Sequence, residues 1–180
     1  MMDALPKSKC GTRKLLAAKP DAMRGAAAVE LALLLIPLVL LVFGVVEFGR
    51  ALYQYNTLAK AVRDSTRMLS QYNPADADYP LADAKCLAVY GKTACSGSDV
   101  PLAPGLTTAM VAVCNPVSSA GCPSGAYANV PTGSGTINLV EVRITGYRFN
   151  FAFNPAALFS SSAATSFVFG DISSTMRQIL

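Results

Sequence analysis

Arg24-Gly25-Ala26-Ala27-Ala28-Val29-Glu30 opens onto sixteen uncharged, mostly apolar residues, Leu31 to Val46, and Glu47 closes the run. The two carboxylates are seventeen residues apart. At ~1.5 Å per helical residue that is about 25 Å, close to the ~30 Å hydrocarbon thickness of a bilayer. Glu30 and Glu47 therefore mark the two interfaces of a membrane-spanning helix. A charge moved toward the bilayer centre costs roughly 2.5–3.5 kcal/mol, and less at the rim. Read plainly, Glu30 is a first-turn glutamate in the headgroup layer, stabilised by ~0.3–1 kcal/mol through the helix dipole. Read sharply, it has a cationic partner in the same layer, such as a free α-amino group at Ala26 after a cut at Gly25.

Charge is distributed unevenly. Residues 1–25 carry Lys7, Lys9, Arg13, Lys14, Lys19 and Arg24 against Asp3 and Asp21, while residues 26–180 balance nine basic with nine acidic side chains. The whole net charge of +4 thus belongs to the N-terminal tail. A basic tail by itself would suit nucleic acid. Followed by an apolar run it obeys the positive-inside rule, so a cytoplasmic tail and an exported remainder are expected, with no nucleic-acid partner.

Cysteine usage agrees with that direction. Cys10 lies in the tail, whereas Cys86, Cys95, Cys114 and Cys122 all follow the apolar run. An even number in an exported region points to two disulfides, and proximity in sequence favours Cys86–Cys95 and Cys114–Cys122 among the three possible connectivities. A zinc site would need tighter cysteine spacing, and the chain has no histidine.

Residues 1–25 have no apolar period and form a basic leader. A secretory signal peptide places small residues after its apolar core. Here Gly25 to Ala28 come before it. From residue 26 to residue 72 the chain reads as one helix, with Pro37 bending rather than stopping it inside the membrane. Beyond Arg50, Leu52, Tyr55, Ala59, Val62, Thr66 and Leu69 recur at three- and four-residue spacing, an apolar stripe in need of a partner surface. Asn73-Pro74 ends the helix.

Residues 73–107, rich in Pro, Ala, Gly and Asp, read as an irregular, partly disulfide-tied loop. Residues 107–113 tolerate a strand, and residues 114–135 hold the Pro, Gly and Ser clusters of loops. The strongest strand spans residues 137–153. Its apolar positions are even at Val140, Val142 and Ile144, then odd at Tyr147, Phe149, Phe151 and Phe153. One extra residue near Thr145-Gly146, a β-bulge, would keep one face buried. Phe167 and Phe169 propose a further strand. The predicted fold class is α+β: a long N-terminal transmembrane helix extending into a small periplasmic domain (residues 73–180) with an antiparallel β-sheet on the amphipathic helix.

Catalysis lacks its usual parts. There is no phosphate loop, no dinucleotide fingerprint and no close carboxylate pair. Asp76, Asp78 and Asp83 lack calcium-loop spacing, and only Lys85 and Lys92 could serve a histidine-free serine site. Neither an enzyme nor a cofactor or metal is expected.

The segment from Arg24 to Leu31, the apolar run with Pro37, and Phe43-Gly44-Val45-Val46-Glu47-Phe48-Gly49-Arg50-Ala51-Leu52-Tyr53 resemble the N-terminal region of TadE-like proteins, pseudopilins of the tight-adherence (Flp-type) pilus system. Ser173-Ser174-Thr175-Met176-Arg177 resembles their C-terminal strand. Leu31 departs from the family, where Phe or Tyr is typical after the glutamate. The resemblance implies a leader cut between Gly25 and Ala26 by a prepilin peptidase at the inner membrane. Glu30 would become the fifth residue, registering a neighbouring subunit, and the partners would be other pilins, pseudopilins and the Tad assembly machinery. Glu47 and Arg50, one turn apart, are expected to form an interfacial ion pair. The alternative is an uncleaved, single-pass periplasmic binding or scaffold module.

Overall fold

Ala and Leu lose little on entering a helix, and in the computed structural model they build α1, Asp21–Leu69, with Val among them and without interruption at Pro37. The structure describes residues 21–118, 121–122, 127–153 and 164–179, with side chains from residue 25 onward. Cys10 and the leader up to residue 20 lie outside the described residues. The helix begins five residues before the expected Ala26 and ends three before Tyr72.

The chain divides into two compact units, residues 1–41 and 42–180. The described part of the first is helix alone, and its Leu31, Leu33, Leu34 and Ile36 are exposed. This helix is long and apolar enough to cross a membrane.

In the second unit α1 turns amphipathic. Its buried positions are Glu47, Ala51, Leu58, Ala61, Val62, Ser65, Thr66 and Leu69. Two members of the expected stripe are corrected here, because Leu52 and Tyr55 are 46% and 44% exposed. Ser65 and Thr66 take core positions because their hydroxyls donate one turn back, to the carbonyls of Ala61 at 2.9 Å and Val62 at 2.7 Å. Polar groups so satisfied can be buried. Thr66 Oγ1 also approaches the Ser174 carbonyl at 3.2 Å, and the Ile179 N–H donates to Ser70 at 3.0 Å. These bonds pin the chain's last strand to α1.

Residues 73–107 are not the loop that their Pro and Gly content suggested. They contain α2, Leu81–Tyr90. Pro80 stands just before its first turn, and Gly91 ends it in the left-handed region at φ 73°, donating to the Leu87 carbonyl at 3.0 Å. The residues read as breakers are the helix's own boundaries. Gly91 is also constrained by space: a Cβ there would lie 3.3 Å from Leu102 Cδ2. Ala84, Ala88 and Val89 face inward.

After a turn of 3-10 helix at Thr108–Met110 come β1 (Val111–Cys114), β2 (Val130–Thr132), β3 (Gly135–Ile137), β4 (Leu139–Ile144), β5 (Arg148–Asn150), β6 (Ser166–Val168) and β7 (Ile172–Arg177). A three-stranded antiparallel sheet has the order β1-β4-β7, and β2-β3 and β5-β6 are separate two-stranded ribbons. The core joins Leu58, Val62 and Leu69 of α1 to α2 and to Val111, Val140, Val142, Ile144 and Ile172 of the sheet. Each such side chain contributes about 1.5–3 kcal/mol by leaving water.

The long strand expected over residues 137–153 is divided, and no bulge divides it. Ile144 pairs with Ile172, and Arg148 pairs with Val168. Both strands therefore advance four residues across the gap, and neither holds an extra one. Instead they break together, at residues 145–147 and 169–171, where the Phe169 N–H still donates to the Tyr147 carbonyl at 2.9 Å. Gly146 makes the corner at φ 69° with open space around it, so the glycine is needed for its backbone alone. The inward face passes from even to odd residues on both strands at this corner. The alternation in the sequence was real, and its cause is a bend of the paired ribbon.

Cys86 on α2 is bonded to Cys95, and Cys114 at the end of β1 to Cys122, with Cα separations of 5.6 and 5.9 Å. In the chain-entropy account, closing loops this short contributes about 2.5 kcal/mol each.

Candidate functional site

Gly25 and Ala26, the expected cleavage pair, lie within α1, and among the described residues nothing beyond the adjoining helix itself stands within 4 Å of the position a Cβ would take at Gly25. Glu30 follows Ala26 by one helical turn and is exposed. Positions i and i+4 share a helix face, with Cβ atoms about 5–6 Å apart. Among the described residues no hydrogen bond or ion pair reaches Glu30.

Glu47 has a different environment. It is only 7% exposed, and Arg50 Nη1 donates to both of its oxygens, at 2.8 and 2.7 Å. The expected ion pair is present, with a third member that the sequence did not signal. The backbone N–H of Phe153 donates to Glu47 Oε1 at 3.1 Å. Arg50 in turn lies over the Phe149 ring, 5.3 Å from its centre. Charge-assisted bonds and a cation over a ring satisfy a pair that would otherwise be costly to bury.

These contacts bring β5 and β6 against the α1 residues that follow the apolar run. Phe149 packs on Phe167 and Phe169 at 5.2 and 6.1 Å, Phe43 on Phe153 at 4.3 Å, and Tyr55 edge-on to Phe169 at 5.8 Å. Between the two walls runs an open groove of about 530 Å³. Gly44, Glu47, Phe48, Ala51, Leu52 and Tyr55 form one side, and Phe151, Phe153, Phe167 and Phe169 the other. The reading from sequence assigned these phenylalanines to a buried strand face and missed the groove. Two runs of alternating Phe, at 149–153 and 167–169, were the available signal.

A polar network on the sheet carries the clearest electrostatic shifts. The Tyr127 hydroxyl donates to Glu141 Oε2 at 2.6 Å, and Arg143 donates to Glu141 Oε1 at 2.7 and 3.1 Å and to Asp171 at 2.9 Å. Burial pushes the Glu141 carboxyl up, but bonds from Tyr127, Arg143 and Ser173 outweigh it and hold it below its ordinary value. Burial and the Glu141 carboxylate push the Tyr127 hydroxyl up to about 12. Every strong donor and acceptor here has a partner within the fold, as in a structural tie between β4, β7 and the preceding loop.

Among the described residues no group of three acidic, cysteine or histidine side chains could hold a metal ion. Asp76 accepts from Asn73 Nδ2 at 3.3 Å, and Lys92 pairs with Asp99. These are local contacts of exposed turns.

No curated protein and no solved structure matches the chain significantly. A family model does match part of it: residues 25–67, which hold Glu30, the apolar run, the Glu47–Arg50 pair and the α1 wall of the groove, are similar to the family described as TadE-like protein.

Proposed function

We propose that this protein is a pseudopilin-like membrane subunit for assembly of a tight-adherence (Flp-type) pilus. It acts by helix packing and by contacts of its C-terminal unit, with no catalytic role of its own. The observation that carries this reading is the TadE-like match over residues 25–67, on a helix that runs unbroken from the membrane-spanning segment into the folded unit. Glu30 is exposed near the start of that segment, one turn from Ala26. A cut after Gly25 by a prepilin peptidase would leave the Ala26 amine as partner for a neighbouring subunit's Glu30. The basic leader then stays cytoplasmic and residues 73–180 lie in the periplasm, by the positive-inside rule. The other members of the assembly are pilins, pseudopilins and the Tad machinery.

One observation favours a second reading, a permanently anchored scaffold. The Gly25–Ala26 bond lies within α1, and a peptidase must unwind a helix to reach it. Intact mass of the membrane-extracted protein separates the two. A species beginning at Ala26 is expected, and full-length chain alone would favour the anchor. In a strain relying on this gene, Glu30→Gln should reduce piliation. Unchanged piliation and adhesion would remove the assembly role of Glu30.

A further inference from the structure

A bilayer core about 30 Å thick takes about 20 helical residues, and the uncharged run supplies sixteen. The next four, Glu47 to Arg50, then lie at the edge of the hydrocarbon. They are suited to that depth, because Arg50 and the Phe153 N–H satisfy the Glu47 carboxylate and leave Phe48 exposed at 65%. The groove begins in the same place. Its α1 wall starts at Gly44, inside the apolar run, and the last residues of that run, 42–46, belong to the same compact unit as the groove. Among the described residues the facing wall presents phenylalanine and no charge. Farther along α1, Tyr53 and Tyr55 are exposed, in the position of an interfacial aromatic belt. Left in water, an apolar groove of this kind would be an association hazard.

We propose that the groove between α1 and the β5–β6 ribbon is a lipid-docking site at the edge of the leaflet next to the folded unit, occupied by phospholipid acyl chains. The ribbon is thereby a second membrane anchor. The continuity of the groove with the spanning segment selects lipid over a soluble ligand. The inference needs α1 to span the bilayer and does not need the pilus role, so the two can fail separately.

The chain contains no tryptophan, so one introduced indole reports on its site alone. Phe167→Trp and Leu52→Trp place a probe on each wall, and Tyr72→Trp places one at the far end of the helical region as a reference. The full chain is reconstituted in phosphatidylcholine–phosphatidylglycerol nanodiscs, with and without lipids brominated along the acyl chain. Emission from both groove probes should be blue-shifted and roughly halved by brominated lipid, with the reference unaffected, as for aromatics at the bilayer boundary. Leu52 is exposed, so that variant tests the site even if Phe167→Trp does not fold. Groove probes that bromolipid quenches no more than the reference would overturn the proposal, whether iodide reaches them from water or a second copy of the chain covers them.

Discussion

Phe153 donates its backbone N–H to the carboxylate of Glu47, 3.1 Å away in space and 106 residues earlier in the chain. With Arg50 on the other side, the bond fastens the exit of β5 to the helix where it leaves the apolar run. Glu47→Ala removes the acceptor, strands the Arg50 charge beside the fully buried Phe149 ring and should cost about 1–3 kcal/mol. Glu47→Gln keeps an acceptor for Phe153 and should cost less. Urea unfolding in detergent, followed by tyrosine fluorescence, measures both, and equal effects would mean that the Phe153 bond contributes nothing.

Leu52 and Leu58 offer a direct test of which helix face is buried. Leu58 is fully buried and Leu52 is 46% exposed. Leu58→Ala should destabilise the folded unit by about 2–5 kcal/mol through lost burial and a cavity. Leu52→Ala should stay within about 0.5 kcal/mol in detergent, as surface substitutions usually do. Comparable losses would restore the stripe expected from sequence.

The Glu141–Tyr127 pair predicts limits to stability at both ends of the pH scale. Glu141 is held below its ordinary value, so its contribution is present above the unfolded value of about 4.3 and is lost as pH falls through the lower folded value. Tyr127 is raised to about 12, so its contribution is complete below the unfolded value of about 10 and disappears as pH rises toward 12. Thermal melting across pH should therefore fall off in both regions. Tyr127→Phe should lower the neutral-pH plateau by about 1 kcal/mol and flatten the alkaline arm. An alkaline arm unchanged in that variant would place its origin elsewhere.

Four of the five cysteines are in disulfides. Denatured but unreduced protein should thus react with one equivalent of thiol reagent if Cys10 is retained, and with none if the chain begins at Ala26. Reduction should expose four more thiols in either form. Replacing Cys114 and Cys122 together by Ala should cost about 2–3 kcal/mol. A larger count before reduction would contradict the pairing.

Much of this was legible along the chain. The apolar helix follows from a long uncharged run, and its capacity to cross a membrane depends on composition and length alone. The two disulfides join near neighbours in sequence, where short loops favour closure. The exposed position of Glu30 at the rim of the apolar run was legible too, because it follows from the local spacing alone. Other features were hidden for physical reasons. Ser65 and Thr66 look like surface residues until their hydroxyls are seen bonded to the preceding turn. Pro80 and Gly91 look like loop until α2 is seen between them.

The sequence by itself determined a helix long and apolar enough to cross a membrane, the uneven placement of charge and the change of apolar phase near Gly146, since each is a local property of spacing and residue type. Only the tertiary structure decided how that phase change is accommodated and where the phenylalanines go. Both depend on β5 pairing with β6 and on Glu47 meeting Phe153, and pairings between distant segments have no signature in either segment alone.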